Sequence, residues 1–308
     1  MGIDDARVLI LGLSFVVAGC GGDTIVVGGA GGSAGSGGAG GSGGAAVLSC
    51  DPTQPFANIA RVPGVPDTSY DARPSDDGLS LLLDVFSTTA NDTVMHRATR
   101  PAITDPFGTP AMVNIMGGVQ RRTNGIVTFD GQTLLFQGFE AAGPIQIYAV
   151  SASVLEGGSE LPTLLSLNGG APNEAPYPSG DGSRIYFATS RAAGPYEIWT
   201  AVQQGSDYVS PEPLASINVA TEDRFAPVVS RDGLTIYFAS RVAGNVQIHV
   251  SIRRSADDPF GAGAPVPSLA SSALFNIPTW LSADGCTLYF NSNRDGMFAI
   301  YSASLPPP

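Results

Sequence analysis

Residues 179–199 read SGDGSRIYFATSRAAGPYEIW, and this stretch decides the fold. It contains the pair Asp181-Gly182, which is followed by the apolar triplet Ile185-Tyr186-Phe187. Asp-Gly is a strong signal for a tight hairpin turn in which both turn residues take positive φ. A second polar turn at Ser190-Arg191 leads into another apolar pair, Ile198-Trp199. The stretch therefore predicts a tight turn followed by two antiparallel strands.

The same pattern recurs along the chain with a nearly constant period. The Asp-Gly pairs are separated by 53, 51, 51 and 52 residues, and each has Ser or Thr two residues before the Asp. They are Asp77-Gly78, Asp130-Gly131, Asp181-Gly182, Asp232-Gly233 and Asp284-Gly285. Apolar segments between the repeats predict a fourth strand in each: Met112–Met116, Thr163–Leu167, Glu212–Ile217 and Val266–Ala270. Four antiparallel strands recurring about every 50 residues are typical of the blades of a β-propeller.

The repeat S-x-D-G-x-x-[IL]-[YL]-F, followed by S-R-x-x-G and I-Y, resembles the WD40-like PD40 repeats of TolB-type propellers. The resemblance covers roughly residues 55–304 and is most specific in the last three repeats. TolB propellers have six blades, so a six-bladed TolB-like propeller is the alternative. The five Asp-Gly turns instead favour an all-β, five-bladed propeller over residues 50–308.

The two ends of the propeller segment indicate how the ring closes. The last repeat ends after its third strand, and the prolines that follow cannot continue a sheet. Phe56–Val62 follows a Pro-Phe pair like other predicted fourth strands, so we expect this N-terminal strand to complete the fifth blade. Cys286 begins the second strand of that blade, and Cys50 lies just before the closing strand, which starts at the same end. We therefore expect a disulfide between them; two free buried thiols are the alternative.

The first 49 residues predict export and a lipid anchor. Residues 1–19 have the short apolar run of a signal peptide and end in Val17-Ala18-Gly19, directly before Cys20. This resembles the lipobox of bacterial lipoproteins, which implies that Cys20 is the lipidation site; Asp4 and Asp5 depart from the expected positive start. An ordinary signal peptide or a buried apolar segment is the alternative. Residues 20–49 predict a disordered Gly/Ala/Ser-rich tether. We expect a cell-envelope location, in the outer membrane, on its periplasmic face or at the cell surface.

Composition excludes several classes of function. The net charge is -12, so the chain repels phosphate backbones and we expect no nucleic-acid partner. The sequence contains no Lys, which excludes a P-loop and a Schiff-base lysine. We expect no cofactor and no metal site, because the two histidines, His96 and His249, occupy strand positions that are aromatic in other repeats.

Polar residues near the start of each first strand form the candidate ligand-binding site. We expect them to converge at one mouth of the central channel as a ring of mixed charge: Asp71, Arg122, Glu174, Asp223, Arg224 and Asn276, with Glu222 beside them. The leading hypothesis is a non-catalytic binding or scaffold protein that contacts an envelope protein or glycan. A furanosidase-like glycan hydrolase using Asp71, Glu174 and Asp223 is the alternative, although nearby arginines would keep those carboxylates ionised. A purely structural spacer is the third possibility.

Overall fold

The computed structural model describes residues 50–87, 92–140, 143–191, 194–272 and 274–306. These residues form five four-stranded antiparallel sheets, and each sheet packs against the next around a ring. The predicted all-β, five-bladed propeller is therefore confirmed, and the six-bladed alternative is wrong. The signal peptide, Cys20 and the tether lie outside the described residues. Within those ranges, we find no helix with the length and hydropathy needed to cross a membrane.

Each blade takes its strands from one repeat, except that the last blade borrows its outer strand from the N-terminal segment. That strand is β1 (Ala57–Arg61). Blade one contains β2 (Ser69–Pro74), β3 (Ser80–Ser87), β4 (Asp92–Thr99) and β5 (Ala111–Met112). Blade two contains β6 (Gln120–Val127), β7 (Thr133–Phe139), β8 (Gln146–Ser151) and β9 (Thr163–Leu164). Blade three contains β10 (Asn173–Pro178), β11 (Arg184–Thr189), β12 (Glu197–Gln204) and β13 (Asp207–Pro213). Blade four contains β14 (Asp223–Val229), β15 (Thr235–Val242), β16 (Asn245–Ile252) and β17 (Ala264–Pro265). Blade five contains β18 (Asn276–Leu281), β19 (Thr287–Ser292) and β20 (Ala299–Ser304), completed by β1.

The strand that closes the ring lies where the sequence places it. β1 pairs antiparallel with β20, with Ala57 opposite Ser304 and Arg61 opposite Tyr301. Immediately before this strand, Cys50 forms a disulfide with Cys286, which directly precedes β19. The N-terminal segment is thus attached to the last blade both by a β-ladder and by a covalent bond.

The fourth strands are shorter or displaced relative to the prediction. Only β9 begins at the predicted residue, and most of Val266–Ala270 is a short 3₁₀ helix, Pro267–Leu269. The cause is burial: after a brief pairing, the chain turns its apolar side chains into the space between blades. Ile115, Leu167 and Ile217 are each no more than 2% exposed. The free energy gained by removing these side chains from water exceeds the free energy that a longer ladder at the sheet edge would provide.

The Asp-Gly turns share one hydrogen-bond network. In every repeat the Ser or Thr hydroxyl donates to the Asp carboxylate at 2.5–2.6 Å, and the same carboxylate accepts the backbone N–H two residues later. Only the glycine takes positive φ, so the expectation that both turn residues do is wrong. The hydroxyl and N–H donors hold the pKa of Asp77 and of Asp130 below the usual value. The aspartates therefore stabilise turns.

Ser230→Ala tests this turn network. Ser230 is 1% exposed, and its hydroxyl donates to Asp232 and accepts the N–H of Thr235 at 2.9 Å. Because the substitution leaves a buried N–H without its acceptor, we expect the free energy of unfolding to fall by about 1–3 kcal/mol. Urea unfolding measures the change. Ser183→Ala is the matched control, since its exposed hydroxyl bonds Asp181 from solvent, and an equal loss there would contradict the burial argument.

Candidate functional site

The innermost strands carry an irregularity that positions the candidate site. In each of β2, β6, β10, β14 and β18 the ladder register shifts near the middle of the strand. In four blades a non-glycine residue there takes positive φ: Asp71, Asn124, Ala175 and Ala226. Each lies six residues before the Asp of its Asp-Gly turn, and the fifth equivalent is Pro278. A β-bulge of this kind redirects backbone groups away from their own sheet.

The redirected N–H groups tie one blade to the previous one. The N–H of Asn124 donates to Asp84 at 2.8 Å, and the N–H of Ala175 donates to Gln137 at 2.7 Å. The N–H of Asp71 donates to Asn291 at 3.1 Å, across the point where the ring closes. The acceptors occupy one position, directly after the apolar triplet of each second strand. Sequence reasoning missed this role, although the polar residues at that position were the signal for it.

Five side chains form what we call the channel cluster: Asp71, Arg73, Asp84, Asn124 and Asn291. The Arg73 guanidinium is central, since the residue is 5% exposed and donates to the Thr279 carbonyl at 3.1 Å and to Asn124 at 3.2 Å. Asn291 in turn donates to the Asp71 carboxylate at 2.8 Å. Arg73 thus links blade one to blades two and five.

The cluster holds two carboxyl groups in unequal environments. Asp84 is 2% exposed, and burial raises its pKa well above the usual value, with the negative charge of hydrogen-bonded Asp71 adding to the effect. The N–H of Asn124 and the charge of Arg73 oppose that shift. Burial also lowers the pKa of Arg73 and raises that of neighbouring Tyr177 to about 12. The Asp71–Asp84 pair therefore retains a proton at a pH where an exposed Asp has lost it.

Asp84→Asn should remove a pH dependence of stability. An Asp ionises near pH 3.9 in the unfolded chain, and the folded pKa is higher, so ionisation opposes folding as the pH rises through this window. The amide mimics the protonated acid and keeps an acceptor for Asn124. We expect the stability of the variant, relative to that of the native chain, to rise as the pH is raised from about 4 towards neutral. Urea unfolding across this range measures the difference, and parallel pH profiles would contradict the assignment.

The structure does not bring the predicted ring residues to one open mouth. Glu174, Arg224 and Asn276 are 2%, 5% and 0% exposed, so the expectation of an open mixed-charge ring is corrected. The residues lie between six (Asp71) and nine (Asp223) positions before the Asp of their turns, and only Arg122, Arg224 and Asn276 share one position, eight before it. Because neighbouring strand residues face opposite sides and each strand is bulged, these offsets send the side chains in different directions.

Two carboxylates of the predicted ring, those of Glu174 and Asp223, bind partners outside the channel cluster. Glu174 accepts a hydrogen bond from the Tyr196 hydroxyl at 2.7 Å. Asp223 pairs with Arg241 at 3.2 Å and accepts the N–H of Tyr196 at 2.9 Å. Asp71 alone joins the channel cluster.

The remaining ring residues hold neighbouring chain segments together. Arg122 donates to the Ile115 carbonyl at 2.6 Å. Arg224 pairs with Glu222 and contacts the His249 ring nitrogen at 3.1 Å. Burial, together with Arg224, lowers the pKa of His249 to about 4. Asn276 bonds Gln247 of blade four and Arg294 of its own blade at 3.0 and 3.2 Å.

A cavity of about 200 Å³ opens between the Asp-Gly turns of blades one and two. We call it the side chamber. Its walls include Leu82, Ile126 and Leu155, with Trp280 from blade five and Arg73 from the channel cluster. At its rim Asp76 pairs with Arg231 of blade four at 2.5 Å. In the described part of the chain, no three His, Cys, Asp or Glu side chains are grouped to hold a metal ion.

Comparison with known proteins identifies the fold and nothing finer. No family model and no curated protein matches the chain. The putative TolB from Agrobacterium tumefaciens is 18% identical with a TM-score of 0.52, over 76% of each chain. TolB from Acinetobacter baumannii is 16% identical with a TM-score of 0.50, over 78% of this chain and 55% of that one. This chain thus spans about half the length of the second structure, and the predicted TolB-like propeller is confirmed as a fold.

Proposed function

We propose that this chain is an envelope protein, lipid-anchored through Cys20, whose propeller binds or scaffolds another envelope component without catalysing a reaction. The two TolB structures support a propeller that acts as a scaffold or binding module, and fold likeness alone does not transfer a partner. The site residues assigned to ligand binding remain part of the proposal, with Asp71 the one that lies in the channel cluster.

One observation carries the non-catalytic part of the proposal. The polar groups lining the channel are used for holding the blades together, as in the bonds from Arg73 to Thr279 and Asn124. A catalytic group must reach a proton on its substrate, and a side chain as buried as Asp84 does not. A rigid, internally bonded channel is suited to a scaffold, which leaves the outer faces of the blades for contacts.

The membrane anchor is tested by metabolic labelling with a palmitate analogue. We expect the native chain to incorporate the label and to fractionate with membranes, because the lipobox presents Cys20 for acylation. Cys20→Ala should lose both properties. The matched control is Cys286→Ala, which alters a disulfide cysteine and should retain the label. Label in the Cys20 variant would reject the lipid-anchored assignment.

The binding role is tested by crosslinking the intact anchored protein in whole cells and identifying what is recovered. We expect the same envelope component to be recovered in repeated experiments. Asp71→Ala should also recover it, and loss of recovery in that variant would identify the channel cluster as the contact surface. Recovery of no specific component would favour a purely structural spacer. The chain that lacks residues 21–49 but keeps Cys20 is the useful comparison, because the tether determines which surfaces are within reach.

A glycan hydrolase is the second candidate, and the Asp71–Asp84 pair is the observation that favours it. A buried carboxyl with a raised pKa beside a second, half-buried carboxyl resembles the arrangement that glycosidases use. Turnover of aryl furanosides that is abolished by Asp71→Ala, with the fold intact by circular dichroism, would support the hydrolase over the scaffold. Absence of turnover in the native chain would reject it. Glu174→Ala is the companion variant, as its carboxylate lies outside the channel cluster.

A further inference from the structure

The side chamber has the size and lining of a binding site for one large apolar side chain. Its volume of about 200 Å³ exceeds the 150 Å³ cavity that accommodates benzene in an engineered protein. Trp280, Ile126 and Leu82 form an apolar wall, and the polar side chains of Arg73 and Thr128 also line the cavity. At the rim Asp76 and Gly131 are exposed, and the chamber is therefore reached from the Asp-Gly turns.

The exposed charges at the rim are mainly negative. Asp76 has a side chain 48% exposed, whereas that of its partner Arg231 is 20% exposed. Glu156 follows a chamber residue, and its side chain is 73% exposed against 23% for its partner Arg97. Asp77 and Asp130 belong to the two turns that border the opening.

The guanidinium groups at the rim are used within the protein. Arg231 lies 4.2 Å over the ring of Phe129, and Arg100 lies 4.4 Å over that of Phe107 and donates to the Gly78 carbonyl at 2.7 Å. Both guanidinium groups keep their charge, but Arg231 and Arg100 are only partly exposed, whereas the carboxylates of Asp76 and Glu156 are exposed to solvent. The rim therefore attracts a positively charged segment, in keeping with the net charge of -12.

We propose that the side chamber is a protein-docking site that takes one large apolar side chain from a partner segment carrying basic residues on either side. The apolar side chain fills the space against Trp280, and the flanking cations face Asp76 and the adjacent turn carboxylates. This inference rests on the proposed binding function and specifies the chemistry of its partner.

Three short peptides test the proposal on the full propeller: acetyl-Lys-Leu-Lys-amide, acetyl-Glu-Leu-Glu-amide and acetyl-Lys-Gly-Lys-amide. Binding is followed by the two tryptophan indole resonances in NMR titrations, assigned with Trp199→Phe. We expect the first peptide to bind about tenfold more tightly than either of the others. It should shift the indole of Trp280 and leave that of Trp199, which bonds Glu197, unchanged. Equal affinities for the three peptides would overturn the proposal.

A matched pair of variants locates the site. Val127 is half-buried and lines the chamber, so Val127→Phe should fill it and weaken binding of the first peptide about tenfold. Val242→Phe makes the same change at a valine 49% exposed on blade four and should bind as the native chain does. Native affinity in Val127→Phe, with its fold verified, rejects the chamber. If cell crosslinking still recovers an envelope component in that case, the proposed function stands while this inference fails.

Discussion

Removing the disulfide, as in Cys50→Ala/Cys286→Ala, is expected to lower the free energy of unfolding by about 4–5 kcal/mol. The two cysteines are separated by 236 residues, so the crosslink restricts almost the entire propeller in the unfolded chain. It also holds β1, an edge strand of five residues whose side chains are mostly exposed. Without it the N-terminal strand is held to blade five by its short ladder with β20 and no covalent bond. Guanidinium unfolding of the oxidised native chain and the double variant measures the difference.

Reduction separates the crosslink from the loss of two sulfur atoms. The native chain treated with dithiothreitol should unfold at nearly the same denaturant concentration as the double variant. Cys50 is 6% exposed, so replacing it with Ala also removes some buried contacts. This packing contribution remains as a small difference in stability between the reduced native chain and the double variant. Non-reducing mass spectrometry that finds both thiols free in the native protein would contradict this prediction, because there would be no crosslink to remove.

The blade count and ring closure were predictable because they depend on local signals. Each Asp-Gly turn carries its own Ser or Thr, and the structure uses all of them in the same network. β1 was predictable because a repeat that lacks one strand leaves an edge to be covered, and Phe56–Val62 was the segment available. Turns and strands are determined by residues that lie close together in the sequence, so both can be predicted from a single sequence.

The geometry of the channel was not predictable by the same means. A bulge shifts the ladder by one residue, and a shift of one residue exchanges the two faces of a strand. Asp71 and Glu174 sit one position apart in the repeat, and only Asp71 reaches the channel cluster. The predicted bounds of the fourth strands were wrong for a related reason, because burial of Ile115 and Leu167 determines the path of the chain. These outcomes depend on contacts between blades.

The contacts between blades also include arginines that donate to backbone carbonyls of a neighbouring blade. Arg122 of blade two donates to the Ile115 carbonyl, and Arg191 of blade three donates to that of Leu167. Arg294 of blade five likewise donates to the Leu269 carbonyl at 3.1 Å. Each arginine reaches the segment that leads out of the previous blade. These three arginines, of which only Arg122 was predicted to bind a ligand, therefore stabilise the assembly of blades, and Arg73 does the same at the centre.

Arg73→Met is expected to lower the free energy of unfolding by about 3–5 kcal/mol, the usual loss when one member of a buried charged network is removed. Methionine fills much of the same volume, so the loss comes from the bonds to Thr279 and Asn124 and from the charge facing Asp71 and Asp84. The exposed Arg254 provides the control, since Arg254→Met should change stability by less than about 0.5 kcal/mol. Urea unfolding at neutral pH measures both.

A triple variant distinguishes charge from packing in this result. Adding Asp71→Asn and Asp84→Asn to Arg73→Met removes the two carboxyl groups that the guanidinium faces, so part of the lost stability should return. Because the buried carboxylate is most costly when ionised, the recovery should increase from about pH 5 to about pH 8. If the triple variant is no more stable than Arg73→Met at either pH, the guanidinium acts by filling space. The channel cluster would then lack the electrostatic role that its unequal carboxyl groups imply.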